Sequence, residues 1–566
     1  SSQISLSRDK KSIFITFNIS EGEKYKINDV DVIGEVPFDE EVYKDIVGSL
    51  KDTTYSQAAI TSIEEFFTNV LGNRGYAFAE VTGNPEINEE TNEVKLIFAV
   101  EPGNRTYTRK ILFTGNNITQ DHVLRREMRQ FEGAWSSDNA IEAGKIRLER
   151  LGYFKEVNVE TIPVPGTDDQ IDIVYSVEEE TTGSIGGNIG YSDFGLMLGF
   201  NLQEQNFMGS GNTVGIGINK NVYSEMYNIS YMNPYATRDG VSLGYNFYYR
   251  ETDYGEFNVA NYLTNSNGFG AQFGYPISDI TRLGFNITYD KTDIDIGSLP
   301  AREIYDFVSV EGNLFETLTA QLSWQRVTLN RGLFPTDGAS TVLSVSSTIP
   351  GSDLSYYRLN VRQRYYQPLT KDLVFGFQGE LGYLDAYGDT KEVPFFQNFY
   401  AGGPRSLRGF ESNTLGPRST DAPCYEFNYS EGICPNLIDS DGDGELDTPY
   451  YNPYANQTSR YRDAPIGGNI KVEGSLQLIF RLPFIEDQRS LRSAFFFDFG
   501  NVFSDNCKDY QINCYEPAID DLRYSYGVGI TWITGFGPMS LAIAKPTNAG
   551  PRERTEEFQF TVGNVF

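Results

Sequence analysis

From Gly183 to the end of the chain, apolar and polar residues alternate with a period of two. In one such stretch Leu196, Leu198, Phe200 and Leu202 share a face, while Asn201, Gln203 and Gln205 take the other face. A period of two places alternate side chains on opposite faces of a β-strand, so this part of the chain is predicted to be all β. Alternation alone fits both a soluble sandwich and a barrel.

Three further features favour a membrane-spanning barrel over 181–566. About sixteen strands of roughly ten or more residues recur, with short turns at one end and longer loops at the other. Tyr (37) and Phe (39) far outnumber Trp (3), and they gather near strand ends as interface girdles do. The last strand places Phe558, Phe560, Val562 and Phe566 on one face. We therefore predict a 16-stranded antiparallel transmembrane β-barrel.

The first 180 residues contain a repeated module. Three similar segment endings, near positions 20, 100 and 177, are spaced by about eighty residues. Between the endings the pattern predicts a strand, two helices and two strands, with Gly75 and Gly152 ending the second helices. In the first module the helices are expected at about Asp39 to Leu50 and about Ser56 to Arg74, with Ser56 as the N-cap of the second. The predicted domains are the end of a preceding module at 1–22 and two β-α-α-β-β modules at 23–103 and 104–180. Generic α+β repeats are the alternative.

Composition excludes several classes of function. The net charge is −31, whereas a nucleic-acid-binding protein needs a clustered cationic surface. The single histidine, His122, argues against a histidine-based catalytic triad or a multi-histidine metal site. No run approaches the eighteen or so apolar residues of a transmembrane helix. No phosphate-binding loop is present, so we expect no nucleotide cofactor.

The four cysteines form two close pairs in polar loops, Cys424 with Cys434 and Cys507 with Cys514. Neither pair has CxxC spacing, and no histidine is near, so two disulfides are predicted rather than metal or redox sites. Disulfides imply export from the cytoplasm. Since no signal peptide begins at Ser1, we interpret the chain as trimmed from a longer precursor.

An acidic segment in the longest predicted loop resembles a calcium loop. Four carboxylates occupy positions 1, 3, 5 and 9 of such a loop: Asp439, Asp441, Asp443 and Asp447. Gly444 takes position 6, but Tyr450 stands at position 12, where an EF-hand has its bidentate glutamate. A weak Ca²⁺ site and an acidic surface loop without an ion both remain open.

That longest loop, at about 386–467 and called loop 6 here, contains the triplet Arg408, Gly409 and Phe410. Strand parity places Asp498 on the lumen face, because Phe495, Phe497 and Phe499 fit the lipid face. A carboxylate inside the barrel requires a cationic partner or water. Arg408 is the candidate, because its planar guanidinium can bind a carboxylate through two parallel hydrogen bonds. A wall arginine, Arg362 or Arg364, or simple hydration is the alternative.

The stretch GGPRSLRGFESNTLGP at 402–417, the tandem modules and the terminal FQFTVGNVF together resemble the BamA family, whose modules are called POTRA domains. The resemblance implies that loop 6 folds into the lumen and that Arg408 pairs with Asp498, with Gly409 and Phe410 beside them. A glutamate of the family's barrel wall corresponds to Gln477, which puts one anionic contact of the arginine in doubt. It also implies an outer-membrane location with periplasmic POTRA domains.

The resemblance further implies a lateral seam between the first and last barrel strands. Its residues are Gly186, Gly187, Ile189, Phe560, Gly563 and Phe566. The glycine-rich first strand should pair weakly with the last, and an opened edge would accept a strand of an incoming barrel precursor.

The implied function is folding and insertion of outer-membrane barrels without covalent chemistry. The implied partners are unfolded barrel precursors, outer-membrane lipids and lipoproteins docked on the POTRA domains. A polypeptide translocator of the same superfamily, as in two-partner secretion, and a passive porin are the alternatives.

Overall fold

The computed structural model contains two compact units, one ending at Thr182 and the other beginning at Gly183. The residues it describes are 2–6, 13–17, 23–192, 195–255, 259–260, 262–296, 301–420, 464–482, 485, 490–509, 511, 514–534, 537–550 and 552–563. No helix among them is long and apolar enough to cross a membrane.

The first unit begins with a two-stranded antiparallel sheet and continues with two modules of the same order. Its elements are β1 (Ser2–Leu6), β2 (Ile13–Phe17), β3 (Lys26–Gly34), α1 (Lys44–Gly48), α2 (Gln57–Gly72), β4 (Glu80–Asn88), β5 (Glu93–Glu101), β6 (Tyr107–Thr114), α3 (Asp121–Arg125), α4 (Asp138–Arg150), β7 (Phe154–Pro163) and β8 (Gln170–Glu179). The sheet orders are β3-β5-β4 and β6-β8-β7, with the first pair of each parallel. The predicted β-α-α-β-β order is confirmed.

Each module buries one face of its longer helix against its sheet. On α2 the buried residues Ile60, Ile63, Phe67 and Leu71 recur at helical spacing and belong to one core with β5. In the second module the core includes Tyr175, whose hydroxyl donates to the carbonyl of Ile141 at 2.8 Å. These cores make each module an independent packing unit.

The first helix of the 23–103 module is shorter than the sequence predicts. A helix from about Asp39 to Leu50 is expected, but the structure has a 3₁₀ turn at Glu40–Val42 followed by α1. Val47 is the one buried residue of α1, so little apolar area is available to stabilise a longer α-helix. Ser56 takes the N-cap position of α2 as predicted, although its side chain makes no capping hydrogen bond.

The second unit is a closed antiparallel barrel. Its elements are β9 (Gly183–Ser192), β10 (Gly195–Glu204), β11 (Thr213–Lys220), β12 (Ser224–Asn233), β13 (Ser242–Asp253), β14 (Leu263–Ser278), β15 (Thr281–Asp295), α5 (Arg302–Glu311), β16 (Leu314–Val327), β17 (Gly338–Thr348), β18 (Tyr356–Pro368), β19 (Leu373–Ala386), β20 (Gly409–Phe410), β21 (Ile470–Phe480), β22 (Leu491–Phe503), β23 (Arg523–Thr534), β24 (Gly537–Pro546), β25 (Thr555–Glu556) and β26 (Phe558–Val562). Sixteen of these strands form the barrel wall, as predicted; β20 and β25 pair separately with each other.

The barrel wall has the two faces that the alternation predicts. Leu196, Leu198 and Phe200 on β10 are exposed on the outside, as are Phe495 and Phe497 on β22. The interior is polar, and it contains the described part of loop 6, which connects the eleventh strand, β19, to the twelfth, β21. Loop 6 therefore occupies space that would be an open channel in a porin.

Candidate functional site

Arg408 and Asp498 form a buried ion pair inside the barrel. Nε of Arg408 donates to Oδ2 of Asp498 at 2.7 Å, and Nη2 donates to Oδ1 at 2.7 Å. The backbone N–H of Arg408 adds a third hydrogen bond to Oδ2, at 3.2 Å. Arg408 is 5% exposed and Asp498 is 0% exposed. This bidentate arrangement fixes the direction of the guanidinium as well as its charge partner.

Two wall residues complete the surroundings of Arg408. Its Nη2 donates to Oγ of Ser475 at 2.9 Å, and its guanidinium carbon lies 3.5 Å from the centre of the Phe496 ring. A cation over an aromatic face is stabilised by the ring quadrupole, more strongly where water is excluded. The guanidinium is thus held by a carboxylate, a hydroxyl and a ring, all from β21 and β22.

The other sequence candidates lie near this centre without joining it. Gln477 donates to Oγ of Ser475 at 3.3 Å, so it reaches Arg408 only through that hydroxyl. Arg362, one alternative partner for Asp498, instead donates to Glu380 at 3.1 Å. Among the described residues, Arg364 forms no hydrogen bond with Asp498, whose carboxylate is occupied by Arg408.

Gly409 lies where a side chain has no room. Its φ is +91°, and a Cβ would lie 3.1 Å from Cβ of Ala544 and 3.3 Å from Cδ of Pro546. Phe410 is fully buried and packs in the apolar core formed by loop 6 and neighbouring loops, which includes Leu407 and Leu415. The triplet is therefore an interior feature of the barrel and not a surface turn.

The same triplet also contacts the end of the chain. Gly409 and Phe410 pair as β20 with Glu556 and Thr555 of β25, immediately before the last barrel strand. Gln559 on β26 receives the N–H of Gly409 at 3.3 Å and donates to the carbonyl of Phe410 at 2.8 Å. Loop 6 thus touches the β21–β22 wall on one side and the last strand on the other.

Side-chain hydrogen bonds hold loop 6 among the outer loops as well. Both carboxylate oxygens of Glu303 on α5 accept the backbone N–H of Thr420, at 3.1 and 3.0 Å. Burial raises the pKa of Glu303, although the hydrogen bonds from Thr420 and Gln511 partly oppose that rise. Gln511 lies in the loop that the Cys507–Cys514 disulfide closes, with an S–S distance of 2.01 Å. That predicted disulfide is confirmed.

The seam between the first and last strands is short. Within the described residues, Val562 with Tyr191 is the one register pair that joins β26 to β9. On its other side β26 pairs with β24 from Ile543 with Phe558 to Met539 with Val562. A Cβ on Gly563 would lie 3.3 Å from Cα of Gly190 and 3.7 Å from the carbonyl oxygen of Ile189.

Three predicted seam residues lie on the first strand. Gly186, Gly187 and Ile189 pair with Asn201, Phe200 and Leu198 of β10. On the seam side of β9 the described register pair is Tyr191 with Val562, and the predicted seam set stays a prediction because residues 564–566 lie outside the described part of the chain. Phe560 is on β26, where it pairs with Leu541, and Phe566 lies outside the described residues.

Several predicted sites also lie outside the described part of the chain. They are the Cys424–Cys434 pair and the acidic loop with Asp439, Asp441, Asp443 and Asp447. Among the residues that the structure describes, no group of three or more His, Cys, Asp or Glu side chains is placed to hold a metal ion. The calcium hypothesis stays a prediction.

Comparison with known proteins identifies the architecture. Residues 206–566 match the model of the Omp85 superfamily domain, and residues 25–103 and 106–180 match that of the surface antigen variable number repeat, the POTRA domain. The chain is 30% identical over 593 aligned residues to the outer membrane protein assembly factor BamA of Neisseria meningitidis, covering 100% of this chain and 70% of that protein. This chain belongs to the BamA family of the Omp85 superfamily.

Two further BamA proteins show how far the similarity extends. The crystal structure of BamA from Haemophilus ducreyi lacking POTRA domains 1–3 superimposes with a TM-score of 0.78 at 31% identity, covering 95% of this chain and 99% of that one. BamA of Buchnera aphidicola is 31% identical over 322 residues, 55% of this chain and 52% of that protein. Like its BamA relatives, the protein is an outer-membrane barrel whose POTRA domains lie in the periplasm.

Sequence reasoning missed three residues of this BamA-family site. Phe496 has the same parity as Asp498, two residues away, so its place on the lumen face was available from the alternation. Ser475 is the register partner of Asp498 on β21, which only the strand pairing reveals. Gln559 has the parity of the lumen face, but nothing in the sequence indicates that a loop some 150 residues earlier fills the space before it.

Proposed function

We propose that this protein folds and inserts barrel precursors into the outer membrane, opening its own wall between β9 and β26. The proposed substrates are unfolded outer-membrane barrels, and the proposed partners on the periplasmic side are lipoproteins bound to the POTRA domains. The names of the curated relatives support an assembly role for the whole protein. No covalent step is needed, because folding of the precursor and burial of its surface in lipid provide the free energy.

The observation that carries the proposal is the contrast between the two edges of the last strand. Its pairing with β24 extends from Phe558 to Val562, whereas its described pairing with β9 is Val562 with Tyr191 alone. A strand edge with few ladder hydrogen bonds opens at low cost and exposes unpaired N–H and C=O groups. A precursor strand can pair with those groups by β-augmentation.

The loop-6 latch, made of Arg408, Gly409 and Phe410 with Asp498, is proposed to hold the rest of the barrel while the seam opens. Its ion pair is buried and bidentate, and it joins loop 6 to β21 and β22. Removing one partner of such a pair leaves an uncompensated charge, which strongly favours the intact latch. Opening is therefore directed to the seam rather than to the wall beside Asp498.

The proposal is tested by locking the seam. In the double variant Tyr191→Cys/Val562→Cys, oxidation should join the two register partners across β9 and β26. Reconstituted in liposomes, the reduced protein should speed the folding of an unfolded barrel substrate, and the oxidised protein should lose that acceleration.

The matched control is the pair Phe200→Cys/Ile218→Cys, register partners on the neighbouring strands β10 and β11. Its disulfide should leave the acceleration intact, because that ladder is not proposed to open. Full activity of the oxidised seam variant would contradict lateral opening. A steady large conductance of the wild-type protein in planar bilayers would instead favour a porin.

A further inference from the structure

The last strand changes partners along its length. Thr555 and Glu556 of β25 pair with Phe410 and Gly409 of loop 6, while β26 pairs with β24. Between them, the carbonyl oxygen of Glu557 accepts a hydrogen bond from the N–H of Ala544, at 2.8 Å. One continuous segment, Thr555–Val562, is therefore attached to a lumen loop at its outer end and to the barrel wall below it.

The seam side of this segment has little support from the first strand. Because Val562 is level with Tyr191 and β9 ends at Ser192, the antiparallel register leaves Phe558, Gln559 and Phe560 beyond the end of β9. The described backbone pairing of these three residues is with β24 alone. Within the described residues, the side-chain hydrogen bonds that join this part of the last strand to another segment run to loop 6 in the lumen.

Gln559 makes these hydrogen bonds. Its side chain is 1% exposed, and its amide matches two consecutive backbone groups of loop 6. Oε1 accepts the N–H of Gly409 and Nε2 donates to the carbonyl of Phe410, as a neighbouring strand would do. Nε2 also lies 3.4 Å from Oε2 of Glu556. A primary amide provides both the acceptor and the donor, which a carboxylate or an apolar side chain does not.

Further contacts outside the membrane-facing part of the strand join the same two segments. The N–H of Glu411 donates to the carbonyl of Arg554 at 3.0 Å, and the N–H of Arg554 donates to Oγ1 of Thr414 at 3.0 Å. Nε of Arg554 lies 3.2 Å from Oε2 of Glu411. Bonds to loop 6 therefore come from Arg554, from Thr555 and Glu556 of β25, and from Gln559.

We propose that loop 6 and the last strand move as one unit, with Gln559 as the positioning residue that couples them. Arg408 holds loop 6 against β21 and β22, and the hydrogen bonds of Gln559 to loop 6 hold the last strand of the seam in place. Release of either contact frees the last strand to leave β9. This inference rests on the proposed lateral opening, and it adds the contact that controls when the seam opens.

The test measures the last strand directly, without substrate. In the Tyr191→Cys/Val562→Cys background, the rate of disulfide formation reports how often β26 lies beside β9. With Gln559→Leu added, we expect the disulfide to form about tenfold more slowly, which corresponds to about 1.4 kcal/mol. Gln321→Leu is the matched control, because Gln321 faces the lumen on β16 and accepts from Asn286 instead of loop 6. It should leave the rate unchanged.

Coupling is tested by combining Gln559→Leu with Arg408→Ala. If the two residues act through one unit, the combined variant should be no slower than the slower single variant. An unchanged rate in Gln559→Leu, or effects that multiply in the combined variant, would overturn the proposal. Because no substrate is present, this result is independent of the liposome assay. If the locked seam still accelerated folding there, the proposed function would be contradicted, while the disulfide rates would still decide whether loop 6 and the last strand are coupled.

Gln559→Glu separates positioning from general stability. The ionised carboxylate keeps the acceptor for Gly409 but faces the carbonyl of Phe410 without a donor, so disulfide formation should be slow. Protonation restores a donor. Because the thiolate fraction of both cysteines also falls as the pH is lowered, the rate is compared with that of the protein with Gln559 at the same pH, and the ratio of the two rates should rise towards one. Since this variant conserves size, it also serves if Gln559→Leu fails to fold. A pH profile identical to that of the wild type would contradict the assigned hydrogen bonds.

Discussion

The wall beside loop 6 and the seam are both made of antiparallel strands, but they are held very differently. The β21–β22 ladder is continuous from Ile470 with Phe503 to Phe480 with Ser493, and the buried Arg408–Asp498 pair lies against it. The described seam has one register pair, Tyr191 with Val562, and a glycine lies next to each partner, Gly190 on β9 and Gly563 after β26. The proposed opening rests on this difference: it is proposed at the ladder with the fewest bonds among the described residues, while an ion pair secures the opposite side of loop 6.

The largest effect is expected from a substitution that breaks the Arg408–Asp498 ion pair beside the β21–β22 wall. Asp498→Ala leaves the guanidinium of Arg408 buried without its charge partner, which costs about 3–5 kcal/mol. We expect loss of heat resistance of the folded barrel on gels and impaired support of growth; Arg408→Ala should act in the same direction. Asp372→Ala, which removes an exposed partner of Arg481, is the control and should leave heat resistance unchanged. If the Asp498→Ala protein were stable and active, the proposed role of the loop-6 latch would be contradicted.

A smaller effect is expected where loop 6 meets the last two strands. Gly409→Ala forces a side chain into a left-handed backbone conformation and against Ala544, at a cost of about 1–3 kcal/mol. Gly388→Ala separates the two causes, since Gly388 also has a positive φ of +67° but its Cβ would lie 3.8 Å from the nearest atom. Thermal unfolding should show a larger loss for Gly409→Ala. Equal losses would mean that the close approach to Ala544 contributes nothing.

The smallest effect is expected from a substitution that stabilises the first strand at the seam. A Cβ on Gly187 meets nothing closer than 3.9 Å, so Gly187→Val should stabilise β9 by about 0.5–1 kcal/mol through lower flexibility of the unfolded strand. Substrate folding in liposomes should then slow by a few-fold. Gly186→Val is the contrast, because its Cβ would lie 2.4 Å from Oδ1 of Asn201 and the Asn201 side chain would have to rotate away, so the gain in stability should be smaller than for Gly187→Val. Faster folding with Gly187→Val would contradict a seam limited by opening.

The sequence predicts the architecture well because alternation is a local property. Sixteen strands, the β-α-α-β-β modules and the lumen position of Asp498 all follow from periods read within single segments. Parity and charge made Arg408 one candidate partner of Asp498, the resemblance to the family favoured it over the wall arginines, and the structure brings Arg408 to Asp498. The same reasoning would have found Phe496, which shares that face.

Properties that depend on register were not predictable in the same way. The pairing of Tyr191 with Val562 at the seam is set by the stagger accumulated around the whole barrel. Gln477 reaches Arg408 only through Ser475, because strand pairing places Ser475 opposite Asp498. The pairing of β20 with β25 joins segments far apart in the chain, and neither has a periodic signal.

The most direct test of the comparison is hydrogen–deuterium exchange of the whole protein in lipid nanodiscs. We predict fast exchange of backbone amides in β9 and in Phe558–Gly563, and slow exchange in β21 and β22, because local opening exposes only the seam. Arg408→Ala should bring the exchange of the wall strands closer to that of the seam. Equal protection of seam and wall in the wild-type protein would contradict the account.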